Sequence, residues 1–205
     1  MTALLLAAAL TLQGWPDTAQ GRAEAFAAIQ SLNVELLTHD SATATLESWC
    51  AVHRLAPVPR VVARRVRIDK PADAQVRAAL GVGPDEPVRY RRVDLACGDK
   101  VLSQADNWYL PARLTSEMNT ALETTDTPFG RAVAALGFHR RTLSTRLIDP
   151  PLAEGWEMKP PPPPRRGPLR LGPDLLQHRA VLETPDGRPF SIVVETYRKE
   201  VLAFR

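Results

Sequence analysis

Cysteine is close to absent from this chain: two residues, Cys50 and Cys97, among 205. They form no CxxC pair and fall at no metal-ligand spacing from His39, His53, His139 or His178, so the sequence offers no metal site. Two thiols packed as small apolar side chains are the simpler expectation, and a bond between them stays open. Charge of one sign is scarce too. Lys and Arg total 26 against 23 Asp and Glu, a formal excess of +3, and no nucleic-acid partner is expected from so even a balance. The densest basic clusters, Arg60-Arg64-Arg65-Arg67 and Arg89-Arg91-Arg92, lie in strand-like runs and read as solvated faces with an occasional ligand arginine. The apolar start Met1–Leu12 is shorter than the ~20 residues a spanning helix needs, so no stable membrane insertion is expected. Gly81-Val82-Gly83 lacks the strand–helix setting of a dinucleotide loop, and Ser103 and Ser144 stand apart from any nucleophile constellation.

What is present divides simply. Residues 1–21 form an apolar extension with the look of a signal-peptide core, though without a positive start or a clean small-x-small site before Ala23-Glu24-Ala25. Export is the favoured expectation; a retained N-terminus would point to the cytoplasm. Residues 22–205 read as one domain with a proline-rich loop at 159–168, a stretch unable to feed a sheet ladder. Phe26, Ile29, Leu32, Leu36 and Leu37 make a helical stripe, broken by Asp40-Ser41-Ala42-Thr43. A second helix is predicted from Thr43 to Leu55 and a short one from Pro71 to Leu80. Strands are predicted over 61–68, 88–97, 101–110 and 140–147, and a last hairpin joins 178–183 to 190–197 through Pro185-Asp186-Gly187. Thr127-Pro128 marks a helix start, and Phe129 to Leu136 the helix. Consecutive hairpins with interspersed helices predict an α+β fold: a single antiparallel sheet with helices covering one side.

The order of four blocks resembles the chorismate pyruvate-lyase family. These are Leu36-Leu37 with Asp40-Ser41-Ala42-Thr43; Arg92-Val93-Asp94-Leu95-Ala96-Cys97-Gly98-Asp99; Leu110-Pro111 followed by Thr127-Pro128-Phe129-Gly130-Arg131; and Gly187-Arg188-Pro189 with an apolar strand ending in Glu195. They span roughly residues 30 to 200 in the family's order. The family has a methionine where Ala42 falls and a larger basic residue near Asn107. The resemblance implies a chorismate lyase-like fold with an enclosed ligand pocket, shared with ligand-sensing domains of some bacterial transcription regulators. It also implies elimination of pyruvate from chorismate to give 4-hydroxybenzoate, without cofactor or metal. The alternative is a non-catalytic binding or sensor protein for a small aromatic carboxylic acid on the same fold.

The residues themselves suit such a ligand. Arg92 offers a guanidinium fork for a carboxylate, with Tyr90 and Asp94 on its strand face. The first N–H of the Phe129 helix has no intrahelical partner. Glu195 is a lone acid after an apolar run, where burial demands a partner or a function; pairing with Arg198 or Lys199 is the plainer expectation. Expected catalytic residues are therefore Glu195 and Arg92, and expected binding residues Arg92, Phe129, Ala42 and Glu195. The partner is a small aromatic carboxylate, and oligomeric state stays open.

Overall fold

The β-branched run Val61–Val66 (β1), the alternating stretches Arg89–Cys97 (β2) and Lys100–Tyr109 (β3), and the strands His139–Leu147 (β4), Asp174–Glu183 (β5) and Pro189–Arg198 (β6) join edge to edge. They make one six-stranded antiparallel sheet in the order β1-β2-β3-β6-β5-β4. Gly98, at φ +60°, supplies the left-handed position that lets β2 turn straight into β3. The computed structural model describes residues 14–205, so the signal-peptide expectation for Met1–Leu12 falls outside the described residues. Among the described residues, no helix is long and apolar enough to cross a membrane.

Two long helices cover the inner face of the sheet. Ala19–Thr38 (α1) is capped by the Thr18 hydroxyl, which accepts from the Gly21 N–H, and Ala42–Val52 (α2) by Ser41 through the Ala44 N–H. The buried stripe of α1 is Ala25, Ile29, Leu32 and Leu36, the last three as expected, while Leu37 faces out and Phe26 is half-buried against Trp156. These side chains pack with Leu46 and Trp49 of α2 onto Val61, Leu95, Leu102 and Tyr197. Each such burial contributes roughly 1.5–3 kcal/mol. Trp15 and Trp49 donate their indole N–H groups to the carbonyls of Leu202 and Val201, at 3.0 and 2.8 Å.

Two expectations are corrected. Cys50 and Cys97 are not free thiols but a disulfide: α2 crosses over the turn end of β2 and brings their Cα atoms to 6.6 Å. Closing a 47-residue separation stabilises by about 4 kcal/mol in the chain-entropy description. The expected α+β fold with a single antiparallel sheet stands, and one short helix, Ala74–Leu80 (α3), is added on the outer face, where Val76 and Leu80 pack against Trp108, Val181 and Ile192. The expected helix from Phe129 to Leu136 breaks in two, a single α turn at Phe129–Ala132 (α5) and a 3-10 turn at Ala134–Leu136. With Ser116–Thr124 (α4), α5 fills the inner face beside β3 and β6 through Met118, Leu122 and Phe129. The proline-rich loop is extended and exposed, and it is pinned where Arg165 N–H donates to Asp17 O and Asp17 N–H to Gly167 O.

Candidate functional site

Side chains alternate across a strand, so register decides which residues share the inner face. Val93, Ala105, Glu195 and His178 are direct cross-strand neighbours on β2, β3, β6 and β5. One step along, Arg91, Asn107, Val193 and Ala180 form the next inner row. Between the sheet, the start of α2 and α5 lies a cavity of about 30 Å³. Its walls are Val93, Leu95, Ala105, Val193 and Leu182 from the strands, with Phe138 beside them. Ser41, Ala42 and Thr43 close it from α2, and Phe129 and Gly130 from α5. Polar groups reach it from Asn107, Arg140 and Glu195.

That volume holds one or two water-sized molecules, whereas ligand pockets run to about 300–1,000 Å³. The enclosed pocket expected for an aromatic acid is therefore closed down in this state. A vestibule of about 370 Å³ adjoins it and shares Asp40, Ser41, Thr43, Gly130 and Phe138. The wall between the two is α2 against α5, latched by an ion pair from Arg131 to Glu47, whose carboxylate also accepts the Val61 N–H. Gly130 permits the close approach: a Cβ there would stand 3.1 Å from the Ser41 hydroxyl oxygen.

The polar end of the cavity is a buried ion pair. Arg140 donates through Nη2 to Glu195 Oε2 at 2.6 Å, with side-chain exposures of 3% and 8%. Tyr197 O–H donates to the same oxygen at 3.0 Å, so neither bond falls on Oε1. Arg140 Nε is buried and unpartnered. Burial pulls the Arg140 pKa down, but the charges of Glu195 and the other acidic groups outweigh it and the net shift is upward. Burial, then Glu195, pushes the Tyr197 hydroxyl well above its ordinary range. His178 sits fully buried behind the pair, and its Nε2–H donates to Asn33 Oδ1 at 2.8 Å. Burial lowers its pKa to about 4, against the opposing pull of Glu195. The strand of Arg140 is fixed by Asp40, whose carboxylate accepts the Arg140 N–H at 2.7 Å.

Of the expected residues, Ala42, Phe129 and Glu195 come together on this cavity, and Arg92 does not. Arg92 lies opposite Asp106 and Val194 on the outer face, 3.6 Å from the Asp106 carboxylate and 3.4 Å from Gln104 Oε1. Choosing Arg92 as the inward arginine is a slip of one residue, which in a strand exchanges the faces. Arg91 is the inward one. It is 6% exposed, donates through Nη2 to Thr127 O at 3.0 Å, and has both Nε and Nη1 buried without partners. Burial, then Arg65, lowers its pKa to about 10, which leaves it charged at neutral pH. Glu195 pairs with neither Arg198, which holds Asp174, nor Lys199. Arg140 carried no mark in the sequence, since its tie to Glu195 spans 55 residues.

No family model matches the chain. PhnF from Mycobacterium smegmatis superposes with a TM-score of 0.50 at 15% identity, over 81% of this chain and 67% of that one. The effector domain of PhnF taken alone gives 0.48 at 15% identity, over 78% of this chain and 90% of the domain. YydK of Bacillus subtilis, described as a possible transcriptional regulator, gives 0.46 at 16% identity over 69% of this chain, which spans 58% of YydK. The PhnF likeness shows a shared fold. The uncharacterized protein y4mC of Sinorhizobium fredii is 54% identical over 195 residues, 94% of this chain and 82% of that protein. The chain belongs to the family of this y4mC protein.

Proposed function

We propose that the chain is a non-catalytic binding protein for a small aromatic carboxylic acid. The observation that carries this reading is a pair of buried arginines with unmet donors on one sheet face, Arg140 at the cavity's polar end and Arg91 one strand row beyond Val93. The ring fits between the apolar walls once α2 and α5 part. Its carboxylate takes the fork of Arg91 and the first N–H of α5, at Phe129. A hydroxyl at the far end donates to Glu195 Oε1 and accepts from Arg140 Nε. The first-turn N–H groups of α2, at Ala42 and Thr43, line the same space without intrahelical partners. PhnF, whose fold this chain shares, has a part called its effector domain, a name in keeping with ligand binding without chemistry.

The position of Glu195 on the cavity favours a second reading, the lyase. Against it, Arg140 and Tyr197 already occupy one oxygen of that carboxylate, which suits orientation better than proton transfer. The disulfide also suits an oxidising compartment, away from chorismate in the cytoplasm. Calorimetry with 4-hydroxybenzoate, alongside an assay for pyruvate released from chorismate, separates the readings. Binding without pyruvate is the expected result; pyruvate release establishes the lyase, and absence of both results removes the aromatic-acid reading.

A further inference from the structure

Strand β1 leaves the sheet after Val66, whose partner is Arg92. The first residues of β2, Arg89 to Arg91, therefore have no neighbour on that edge. Beside this gap runs a groove of about 530 Å³. Its charged lining is Arg65, Arg67, Arg91, Arg92, Glu123 and Asp126. Arg92 and Glu123 are each paired outside the lining, to Asp106 and Arg89, which leaves Arg65, Arg67 and Arg91 against Asp126, an excess of two positive charges. Arg65 is steered by donating to the Glu123 carbonyl, and Arg92 leans on Asp106. Arg67 is exposed and has no ion-pair partner among the described residues. Arg91 is buried, 6% exposed, with its Nε and Nη1 donors unmet.

Leaving such donors buried is costly, because they lost water without gaining a partner. A planar fork with two free N–H groups matches two oxygens of an oxyanion. A monocarboxylate would cancel only half of the groove's local excess, while a dianion cancels it. We propose that the groove is an oxyanion site taking a phosphate group, free or as a phosphomonoester, with Arg91 as its buried floor and Arg65 and Arg67 at its rim. This goes beyond the reading above and shares one residue with it, Arg91, so the two ligands would compete for one guanidinium.

The test is calorimetry on the full chain near pH 8, where a phosphomonoester, with its second pKa about 6, is dianionic. The probes are 4-hydroxybenzoate, phenyl phosphate and inorganic phosphate. Phenyl phosphate is expected to bind at least about tenfold more tightly than 4-hydroxybenzoate, the scale of one added charged hydrogen bond. Arg67→Ala, on an exposed rim, should fold with unchanged melting temperature and weaken phenyl phosphate by about tenfold. Inorganic phosphate binding as tightly as phenyl phosphate assigns the site to the free ion; weaker binding assigns it to the monoester. If 4-hydroxybenzoate binds and neither phosphate does, the phosphate site is overturned and the aromatic-acid reading stands. If the phosphates bind, with Arg67 dependence, and 4-hydroxybenzoate does not, the site stands and that reading falls. A short DNA duplex that displaces phenyl phosphate at lower concentration than inorganic phosphate does would overturn a small-molecule site.

Discussion

Two arginines are buried on the same sheet face and meet opposite treatment. Arg140 carries its own counter-ion, Glu195, and the pair is held by Tyr197 and by Asp40 at the strand start. Arg91 has only a backbone carbonyl for one of its nitrogens. The first arrangement is complete within the chain and serves to place a polar end. The second is incomplete within the described residues, which is why the proposed ligand is placed there. The pKa directions agree, upward for Arg140 under its acidic neighbours and down to about 10 for Arg91 under burial.

The comparison breaks most visibly if Arg140 is made to resemble Arg91. Glu195→Ala leaves a buried guanidinium alone, and denaturant unfolding should show a loss of about 3–5 kcal/mol. A loss under 1 kcal/mol would mean that water already screens the pair. Next is acidity. His178, behind the pair, has its folded-state pKa depressed to about 4, so the unfolded chain takes up a proton first as pH falls. The stability involved is whole above about pH 6.5 and is lost towards pH 4, by roughly 3 kcal/mol. His178→Gln should flatten that part of the melting-temperature profile; a slope that persists unchanged assigns it to other groups. Third, Arg91→Met removes the unsatisfied charge while keeping the bulk. Chain stability should stay level or rise, and affinity for 4-hydroxybenzoate should fall by about 1.5–3 kcal/mol by calorimetry. The smallest effect belongs to Arg92→Ala on the outer face. Its half-buried ion pair with Asp106, at 3.6 Å, is worth about 0–1 kcal/mol, and affinity for 4-hydroxybenzoate should not move. An Arg92 variant that binds worse than the Arg91 variant would reverse the assignment of faces.

The fold was largely legible from the chain. Apolar periodicity marked α1, and Gly98 and Gly187 marked the two hairpin turns that join β2 to β3 and β5 to β6. Glu195 stood out because an acid beside an apolar run requires an explanation. What escaped was information that only three dimensions hold. Arg91 and Arg92 are identical in composition and neighbours in sequence, and the difference between them is strand register. The partner of Glu195 stood on a strand that reads as an ordinary exposed edge, His139–Leu147, where Arg140 turns inward. The disulfide could not be read from spacing, since it depends on α2 crossing the end of β2. The short α5 was overdrawn because the Thr127-Pro128 signal says where a helix begins and nothing about its length.

The sheet order also sets a timetable for assembly. Strand β6, the last of the six in chain order, lies between β3 and β5 near the middle of the sheet. Before it arrives, β1-β2-β3 and β4 with β5 are separate ribbons, and the residues that follow it, Val201 and Leu202, supply the carbonyls that Trp49 and Trp15 require. A nascent chain halted before residue 190 would hold Arg91 and Arg140 but not the strand that joins their halves of the face. Vectorial synthesis thus leaves the inner face unjoined until β6 emerges, and the sheet should complete in one step after that strand.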